Sequence, residues 1–229
     1  MLIEKVMLDT RPLKDMKHFY EEVLGFKERE SGENQLTIEA GRSTITFQKV
    51  EEGNPFYHFA FDIPADQFQV AKEWVKARTP LLKEEDQDEV AFEHLQARAF
   101  YFQDPAGNIV ECIARRTAPQ SDGQPFSIES LQKVSEMSFV AVDAGQGGEV
   151  LERLNLIERE KRPIRPHVLN FMGEKEDESF LLLLEPGRKW LFSDQMAEVY
   201  PVTAVLKGRG TAYVGEGGLV SVEEWEGGV

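Results

Sequence analysis

The sequence predicts an α+β fold made of paired βαβββ modules, whose strands form a curved mixed sheet with the helices outside. Three short segments carry this prediction, because in each of them apolar residues run up to an Asp and an amphipathic stretch follows. They are residues 5–9, 58–62 and 139–143. After the first two amphipathic stretches come strand pairs with turn residues between them, at 40–42 and at 104–108. We therefore expect each module to read strand, helix and then two or three strands.

The elements follow in order along the chain. The first strand leads into LKDMKHFYEEVLGF, where Gly25 is the expected end of a helix. Asp9 and Asp62 each stand where a strand gives way to a helix, and a short carboxylate in that position commonly accepts hydrogen bonds from free N–H groups. The sequence therefore predicts that both residues cap helices. A fourth module begins near residues 200–206, but no clear helix follows it.

Composition divides the chain into two predicted domains. Residues 1–116 form the first, with modules at 1–50 and 55–116. The stretch TAPQSDGQPFS, residues 117–127, is rich in Pro, Ser, Gly and Gln and is predicted to be a linker. Residues 128–229 are expected to form a degenerate and truncated copy of the first domain.

Charge and cysteine content exclude several classes of protein. The 229 residues include 41 Asp and Glu against 26 Lys and Arg, a net charge of -15, which disfavours nucleic acid as a partner. No apolar run is long enough to span a membrane, and the N-terminus lacks the basic region of a signal peptide. We therefore expect a cytoplasmic protein. The single cysteine, Cys112, is expected to be a buried structural thiol.

One buried charge raises the question of function. The predicted strand at residues 109–113, IVECI, has Glu111 at its centre, and an unpaired carboxylate inside an apolar segment costs several kcal/mol or more. Strand alternation places His58 on the same face as Phe56. On the strand before Glu111, either Tyr101 or Arg98 faces the concave side. The candidate pocket residues are therefore Tyr101, Arg98 and Phe56.

Three phrases of the sequence resemble the vicinal oxygen chelate superfamily, which includes glyoxalase I, extradiol dioxygenases, fosfomycin-resistance enzymes and bleomycin-binding proteins. They are FYFQDPAGNIVE, FYHFAF and FYEEVLGF, and the resemblance covers residues 1 to 116 well. It implies the curved paired-module fold. It also implies that His58 and Glu111 point into one cavity and bind a divalent metal, which would be Fe, Mn, Zn or Ni.

The resemblance leaves the third metal ligand open. Metal-dependent members supply a His or Gln from the first strand, at the position that Lys5 occupies here. A protonated lysine has no lone pair and cannot coordinate. One alternative is an incomplete metal site with a third ligand from elsewhere, and the other is a metal-free site in which Lys5 pairs with Glu111. The equivalent position of the third repeat holds Phe139, so no second metal centre is expected.

Two functions follow from these alternatives. The first is a metal-dependent lyase or dioxygenase with His58, Glu111 and Lys5 at its active site, acting on an aromatic or vicinal-oxygen compound. The second is a metal-free protein of the bleomycin-resistance type that binds or sequesters a small molecule through the same three residues. A homodimer is compatible with both. The sequence does not identify the ligand, the metal or the reaction.

Overall fold

The computed structural model describes residues 1–174 and 178–225, and the strands of these residues form two seven-stranded sheets. The first half of the chain contributes β1 (Ile3–Thr10), β2 (Glu28–Ser31), β3 (Gln35–Ala40), β4 (Ser43–Lys49), β5 (His58–Asp62), β6 (Val90–Phe92), β7 (Ala97–Gln103) and β8 (Ile109–Arg115). The second half contributes β9 (Lys133–Val140), β10 (Asn170–Met172), β11 (Phe180–Leu184), β12 (Val202–Leu206), β13 (Gly210–Val214) and β14 (Val220–Glu224).

Three α-helices and two short 3-10 helices, Glu93–Leu95 and Ile128–Ser130, accompany the strands in the described part of the chain. Helix α1 spans Leu13–Lys17 and continues as a π-helical segment, His18–Val23. Helix α2 spans Phe68–Lys76 and α3 spans Ala144–Glu152. The α1 segment ends before Gly25, whose φ of 77° is in the left-handed region, as the sequence predicts. The paired βαβββ fold class is confirmed.

The order of strands shows how the modules pair. The first sheet runs β14-β13-β12-β1-β4-β3-β2, and the second runs β10-β11-β9-β5-β8-β7-β6. In the first sheet, β1 pairs in parallel with β4 of its own module and antiparallel with β12, the first strand of another module. In the second sheet, β5 pairs in the same way with β8 and β9. The first module is thus joined to the fourth, and the second module to the third.

This pairing differs from the expected one, in which the modules of residues 1–50 and 55–116 share a sheet. The reason lies in edge pairing, because the first strand of a module needs a partner along its free side. Here β12 supplies that partner for β1, and β9 supplies it for β5. A domain boundary within residues 117–127 stays a prediction, but the sheets themselves combine strands from both sides of that segment.

Most of the apolar core lies between the two sheets and the helices. The alternating burial of β1 directs Ile3, Val6 and Leu8 into this core, and α1 adds Met16 and Tyr20. The other face of the second sheet carries a separate apolar cluster that includes Ala60, Tyr101 and Trp190. Because every residue of β5, β8 and β9 is buried, polar side chains on these strands are removed from solvent on either face.

The predicted caps at Asp9 and Asp62 are wrong. Helix α1 begins after Pro12 and α2 after Gln67, and neither helix has a side-chain cap. Asp62 is instead the buried end of β5, where its carboxylate pairs with Arg115. In the third module the corresponding residue does cap its helix: Asp143 accepts a hydrogen bond from the Gln146 N–H at 2.8 Å.

No helix among the described residues combines the length and the apolar character that crossing a bilayer requires.

Candidate metal centre and cavity

The turn between β7 and β8 fixes the position of His58. Asp104 accepts hydrogen bonds from the backbone N–H of Ala106 and of Asn108, each at 3.0 Å, and Gly107 takes a φ of 84°. The Asn108 amide oxygen in turn accepts the Tyr57 N–H at 2.8 Å. The turn motif therefore ties the start of β5 to the start of β8, which brings His58 beside Ile109.

Three buried side chains of the second sheet converge on one point. Nε2 of His58 lies 3.4 Å from Oε2 of Glu111. One ligand atom from each of His58, Glu111 and Glu136 can be chosen so that all three lie within 4.8 Å of one another. The three residues come from β5, β8 and β9, the three adjacent central strands. The paired-module topology thus gathers them, although Glu136 is 78 positions from His58 in sequence.

The hydrogen bond at the far side of the imidazole makes His58 a suitable ligand. Nδ1 of His58 lies 3.0 Å from the carbonyl oxygen of Ile109, and a carbonyl can only accept. Nδ1 therefore carries a proton, and Nε2 is the ring nitrogen that faces Glu111. Metal-bound histidines are oriented by this kind of contact.

The spacing of the donor atoms fits one small cation. Two atoms bound about 2.0–2.2 Å from a tetrahedral zinc ion are about 3.3–3.6 Å apart. The His58 Nε2 to Glu111 Oε2 distance of 3.4 Å lies in that interval. One imidazole nitrogen and two carboxylates form a donor set that suits Zn, Mn, Fe or Ni. The residues present therefore fit a divalent metal.

A buried ion-pair network supports the third candidate ligand. The Arg115 guanidinium donates to Asp62 and to Glu136, and it also donates to the Ser135 hydroxyl at 3.1 Å. The Lys133 ammonium lies 3.4 Å from the other Asp62 oxygen. Formally, the carboxylates of Asp62, Glu111 and Glu136 outnumber these two cations by one negative charge. The excess is at Glu111, which neither cation contacts within the ion-pair limit of 4.0 Å.

The protonation of Glu136 reflects the same excess. Burial, and after it the negative charge of Glu111, raise the pKa of Glu136 to about 7, although the Arg115 guanidinium acts in the opposite direction. Two carboxylates that share a low-dielectric site resist ionising together unless a cation lies between them. The cluster is therefore built to hold either a proton or a cation.

A cavity of about 200 Å³ opens above the three side chains. Tyr101, the direct cross-strand neighbour of Glu111, lines it and interacts with Glu111 through its hydroxyl. Burial, together with the charge of Glu111, raises the pKa of Tyr101 well above its ordinary value, so the hydroxyl keeps its proton and is a donor. The remaining walls are mainly apolar: Phe92, Leu95, Ile109, Ile113, Leu169, Phe171, Trp190 and Leu191.

Residues 185–200, which we call the strap, cover this cavity. The Trp190 ring lies 5.0 Å from the His58 ring, and the Phe192 ring stacks on Tyr101 at 5.0 Å with an interplanar angle of 18°. The Gln195 amide oxygen accepts a hydrogen bond from Gln103 at 2.6 Å. The strap thus gives the cluster of His58, Glu111 and Glu136 an aromatic roof.

Comparison with family models matches two parts of this architecture. A glyoxalase-like domain model matches residues 5–113, which contain His58 and Glu111. Residues 5–113 are thus similar to the glyoxalase-like domain of the superfamily that the sequence motifs resemble. A second model, that of a toxoflavin-degrading enzyme, matches residues 134–188. This segment contains Glu136 and the beginning of the strap. No curated protein matches the sequence.

Solved structures resemble about half of the chain. Lactoylglutathione lyase from Agrobacterium tumefaciens is 20% identical, with 48% of this chain and 91% of that one covered and a TM-score of 0.40. A glyoxalase/bleomycin resistance protein/dioxygenase from Nocardioides is 17% identical, with coverages of 56% and 89% and a TM-score of 0.41. A variant of the fosfomycin resistance protein FosX from Listeria monocytogenes, complexed with Mn(II), is 18% identical, with coverages of 51% and 91% and a TM-score of 0.39. At these TM-scores none of them carries an inference about this protein's function.

Within the glyoxalase-like domain, Lys5 does not lie with His58 and Glu111. It belongs to β1 of the first sheet, where its neighbours are Thr44 and Val205, and it lines an open polar depression on that sheet. The expected Lys5–Glu111 pair is therefore wrong. The cause is the module pairing. Because β9 and not β1 lies beside β5, the Glu136 carboxylate reaches the cluster and Lys5 does not.

The three predicted pocket residues lie in different places in the structure. Tyr101 lines the cavity, as the strand alternation allowed. Arg98 faces the opposite side of β7, where it pairs with Glu89 at 2.6 Å and lies 4.2 Å above the Phe68 ring, so its assignment to the pocket is wrong. Phe56 packs with the same apolar cluster as Tyr101, but it lines a small neighbouring cavity with Tyr200.

Glu136 is the candidate ligand that the sequence interpretation missed. It stands in KVSEMSFV as a lone carboxylate among buried positions, the same signal that singled out Glu111. The prediction aligned the third repeat on Phe139 and assumed that the second module pairs with the first. Both errors become visible only from the register of β9 against β5, which places Glu136 opposite Ala60.

Proposed function

We propose that this glyoxalase-like protein is a metal-dependent enzyme of the vicinal oxygen chelate type, with His58, Glu111 and Glu136 as the ligands of one divalent cation. The observation that supports this proposal most is the convergence of three buried donor side chains, one imidazole and two carboxylates, beneath an apolar cavity. Open catalytic metal sites in proteins usually have three protein ligands, so the set is complete.

The side chains of this chain have separate tasks in such a site. A divalent metal held by His58, Glu111 and Glu136 would supply Lewis-acid chemistry towards oxygen atoms of a substrate. Ile109 holds the His58 ring by its carbonyl, and Arg115 holds the Glu136 carboxylate. Tyr101 donates towards Glu111 and lines the cavity beside it. Trp190 and Phe192 close the roof, so the reacting atoms are shielded from bulk water.

The substrate class follows from the walls of the cavity. Four aromatic rings and several aliphatic side chains line it, so a small apolar or aromatic molecule with oxygen atoms at one end fits the site. The toxoflavin-degrading enzyme model that matches residues 134–188 is named for an enzyme that degrades a small molecule, which is consistent with this class. The lyase and dioxygenase reactions both stay open.

A second candidate function is binding without a metal. The 3.4 Å contact between His58 and Glu111 is also the geometry of an imidazolium paired with a carboxylate, in which a proton takes the place of the cation. The protein would then bind or sequester its ligand in the same cavity. Lys5 cannot be the partner of Glu111 in such a site, because it lies on β1 of the first sheet.

Metal analysis distinguishes the two functions. Protein purified without chelator and dialysed against buffer is analysed by inductively coupled plasma mass spectrometry, together with the His58→Ala and Glu136→Gln variants. The proposal predicts about one equivalent of transition metal in the wild type and much less in both variants. Less than a tenth of an equivalent in the wild type, also after incubation with Mn, Fe, Zn or Ni, would favour the metal-free function.

A further inference from the structure

Arg188 is a cation in the cavity wall that the metal centre does not use. It lies near the start of the strap, is half-buried, and lines the same cavity as His58, Glu111 and Glu136. Its backbone is fixed, because the Arg188 carbonyl accepts the Ala197 N–H at 2.7 Å. Its guanidinium lies 5.7 Å from the Trp190 ring, and NH1 is 3.3 Å from the Lys189 carbonyl oxygen.

Arg188 has no acidic partner within the described residues, since no carboxylate oxygen lies within 4.0 Å of its guanidinium. Several described arginines do have one: Arg98 has Glu89, Arg115 has Asp62 and Glu136, Arg153 has Glu224, and Arg209 has Glu174. Arginines without such a contact, such as Arg78 and Arg116, are exposed to solvent, whereas Arg188 is half-buried. Burial removes solvent from the Arg188 guanidinium and lowers its pKa. In a chain with 41 acidic residues, a half-buried guanidinium without a carboxylate is left for a ligand to neutralise.

The rest of the cavity limits the shape of that ligand. Phe92, Tyr101, Phe171 and Trp190 present aromatic rings to it. An apolar cavity of roughly 150 Å³ holds benzene, so the present cavity of about 200 Å³ suits one aromatic ring or a fused pair. A flat ring can stack between such walls, whereas a puckered ring of the same size makes poorer contact.

We propose that the cavity binds a planar aromatic anion and that Arg188 is the residue that selects the negative charge, by pairing its guanidinium with an ionised oxygen of the ligand. The planar fork of arginine matches a carboxylate or an enolate oxygen pair, and the bond is strong because the site is partly desolvated. The inference rests on the proposed function for the site, and it adds to it the substrate class and a specificity-determining residue.

Two matched probes test this inference. 4-Fluorobenzoate and 4-fluorobenzamide differ in charge but hardly in shape, and neither chelates a metal strongly. Their dissociation constants are measured by fluorine NMR titration of the wild-type protein and of Arg188→Met, Arg188→Lys and Arg98→Met. Arg98→Met is the control, because that arginine lies on the other face of β7. Each titration is made with metal-loaded and with chelator-treated protein.

We expect the wild type to bind the benzoate about tenfold more tightly than the benzamide, and Arg188→Met to reduce this preference to less than twofold. Arg188→Lys should keep part of it, and Arg98→Met all of it. Cyclohexanecarboxylate should displace the benzoate at least about tenfold less effectively than unlabelled benzoate does.

The metal-free titrations separate this inference from the proposed function. If chelator-treated protein keeps a charge preference that Arg188→Met removes, the inference holds even where metal analysis finds no bound metal. If the preference persists in Arg188→Met, or appears only with metal and is independent of Arg188, then the cation selects the anion and the inference is wrong. Equal affinity of the wild type for both probes would also overturn it.

Discussion

Nε2 of His58 and Oε2 of Glu111 face each other at 3.4 Å in the buried centre of the second sheet, while Nδ1 of the same imidazole is held by the Ile109 carbonyl. A neutral imidazole in this orientation places a lone pair against a carboxylate oxygen. Such a contact is repulsive unless a proton or a metal ion lies between the two atoms. The chemistry of the protein depends on which of the two occupies that place.

Glu136→Gln should weaken metal binding. The change keeps the size of the side chain but removes one anionic ligand, and we expect the affinity for Mn(II) or Zn(II) to fall by at least about 100-fold. Competition with a fluorescent chelator measures it. Glu185→Gln is the matched control, since Glu185 lies outside the cluster near the exposed His167. Unchanged affinity in Glu136→Gln would remove Glu136 from the ligand set.

Lys5→Met tests the corrected position of Lys5. Because Lys5 lies on the first sheet beside Thr44, its replacement should change metal affinity by less than twofold and the free energy of unfolding by less than about 0.5 kcal/mol. Urea denaturation and the same chelator competition check both values. A loss of several kcal/mol would mean that Lys5 neutralises a buried carboxylate after all.

Arg115→Met should destabilise the protein by about 3–5 kcal/mol, because it leaves Asp62 and Glu136 buried with one of their two cationic neighbours missing. The measurement is urea denaturation at neutral pH. Arg116→Met is the control at the next position, where the side chain is exposed and donates to Gln96, and we expect a change below about 0.5 kcal/mol. Similar values for the two variants would show that the network contributes little.

Asp104 should make stability depend on pH. Burial raises the pKa of Asp104 to about 6 in the folded protein, although Asn108 and the Tyr20 hydroxyl, 2.8 Å away, donate to it and lower the pKa. Because the folded-state value exceeds the ordinary value of 3.8, the protonated form favours folding. This contribution is complete below about pH 4 and is lost as pH rises through about 6.

Tyr20→Phe tests this dependence. The variant removes a donor, so the folded-state pKa of Asp104 rises further and more stability is lost at neutral pH. We expect the variant to cost about 1 kcal/mol more at pH 7.5 than at pH 4.5, since a hydrogen bond to a charged group is stronger than one to a neutral group. Denaturation curves of both proteins at the two pH values give the difference. An equal cost at both would show that Asp104 does not change its ionisation in this interval.

Much of the fold could be predicted from local sequence signals. The turn residues 104–108, the stop at Gly25 and the strand alternation of β1 and β5 act within a few residues, so a single chain reveals them. His58 and Glu111 could be paired because the family resemblance supplied their neighbourhood. Strand parity narrowed the choice on β7 to Tyr101 or Arg98, and the structure selects Tyr101, which lies directly opposite Glu111.

The long-range contacts could not be predicted in this way. The pairing of β5 with β9 depends on which free strand edges meet, and no local signal specifies that choice. The sequence therefore did not predict that the site contains Glu136, Arg188 and Trp190, and it placed Lys5 there wrongly. Asp62 was interpreted as a helix cap because a carboxylate at the end of a strand can either cap the next helix or form a buried ion pair. The sequence does not distinguish the two, and the structure shows the ion pair with Arg115.

The most direct test of the metal centre is anomalous diffraction. Crystals of the wild-type protein soaked in Mn(II) or Zn(II) are measured at an energy where the metal scatters anomalously. We predict one dominant peak in contact with His58 Nε2, Glu111 and Glu136, at the base of the cavity. A fully soaked crystal in which the metal occupies only exposed carboxylates, with His58 and Glu111 still 3.4 Å apart and no peak between them, would contradict the proposal.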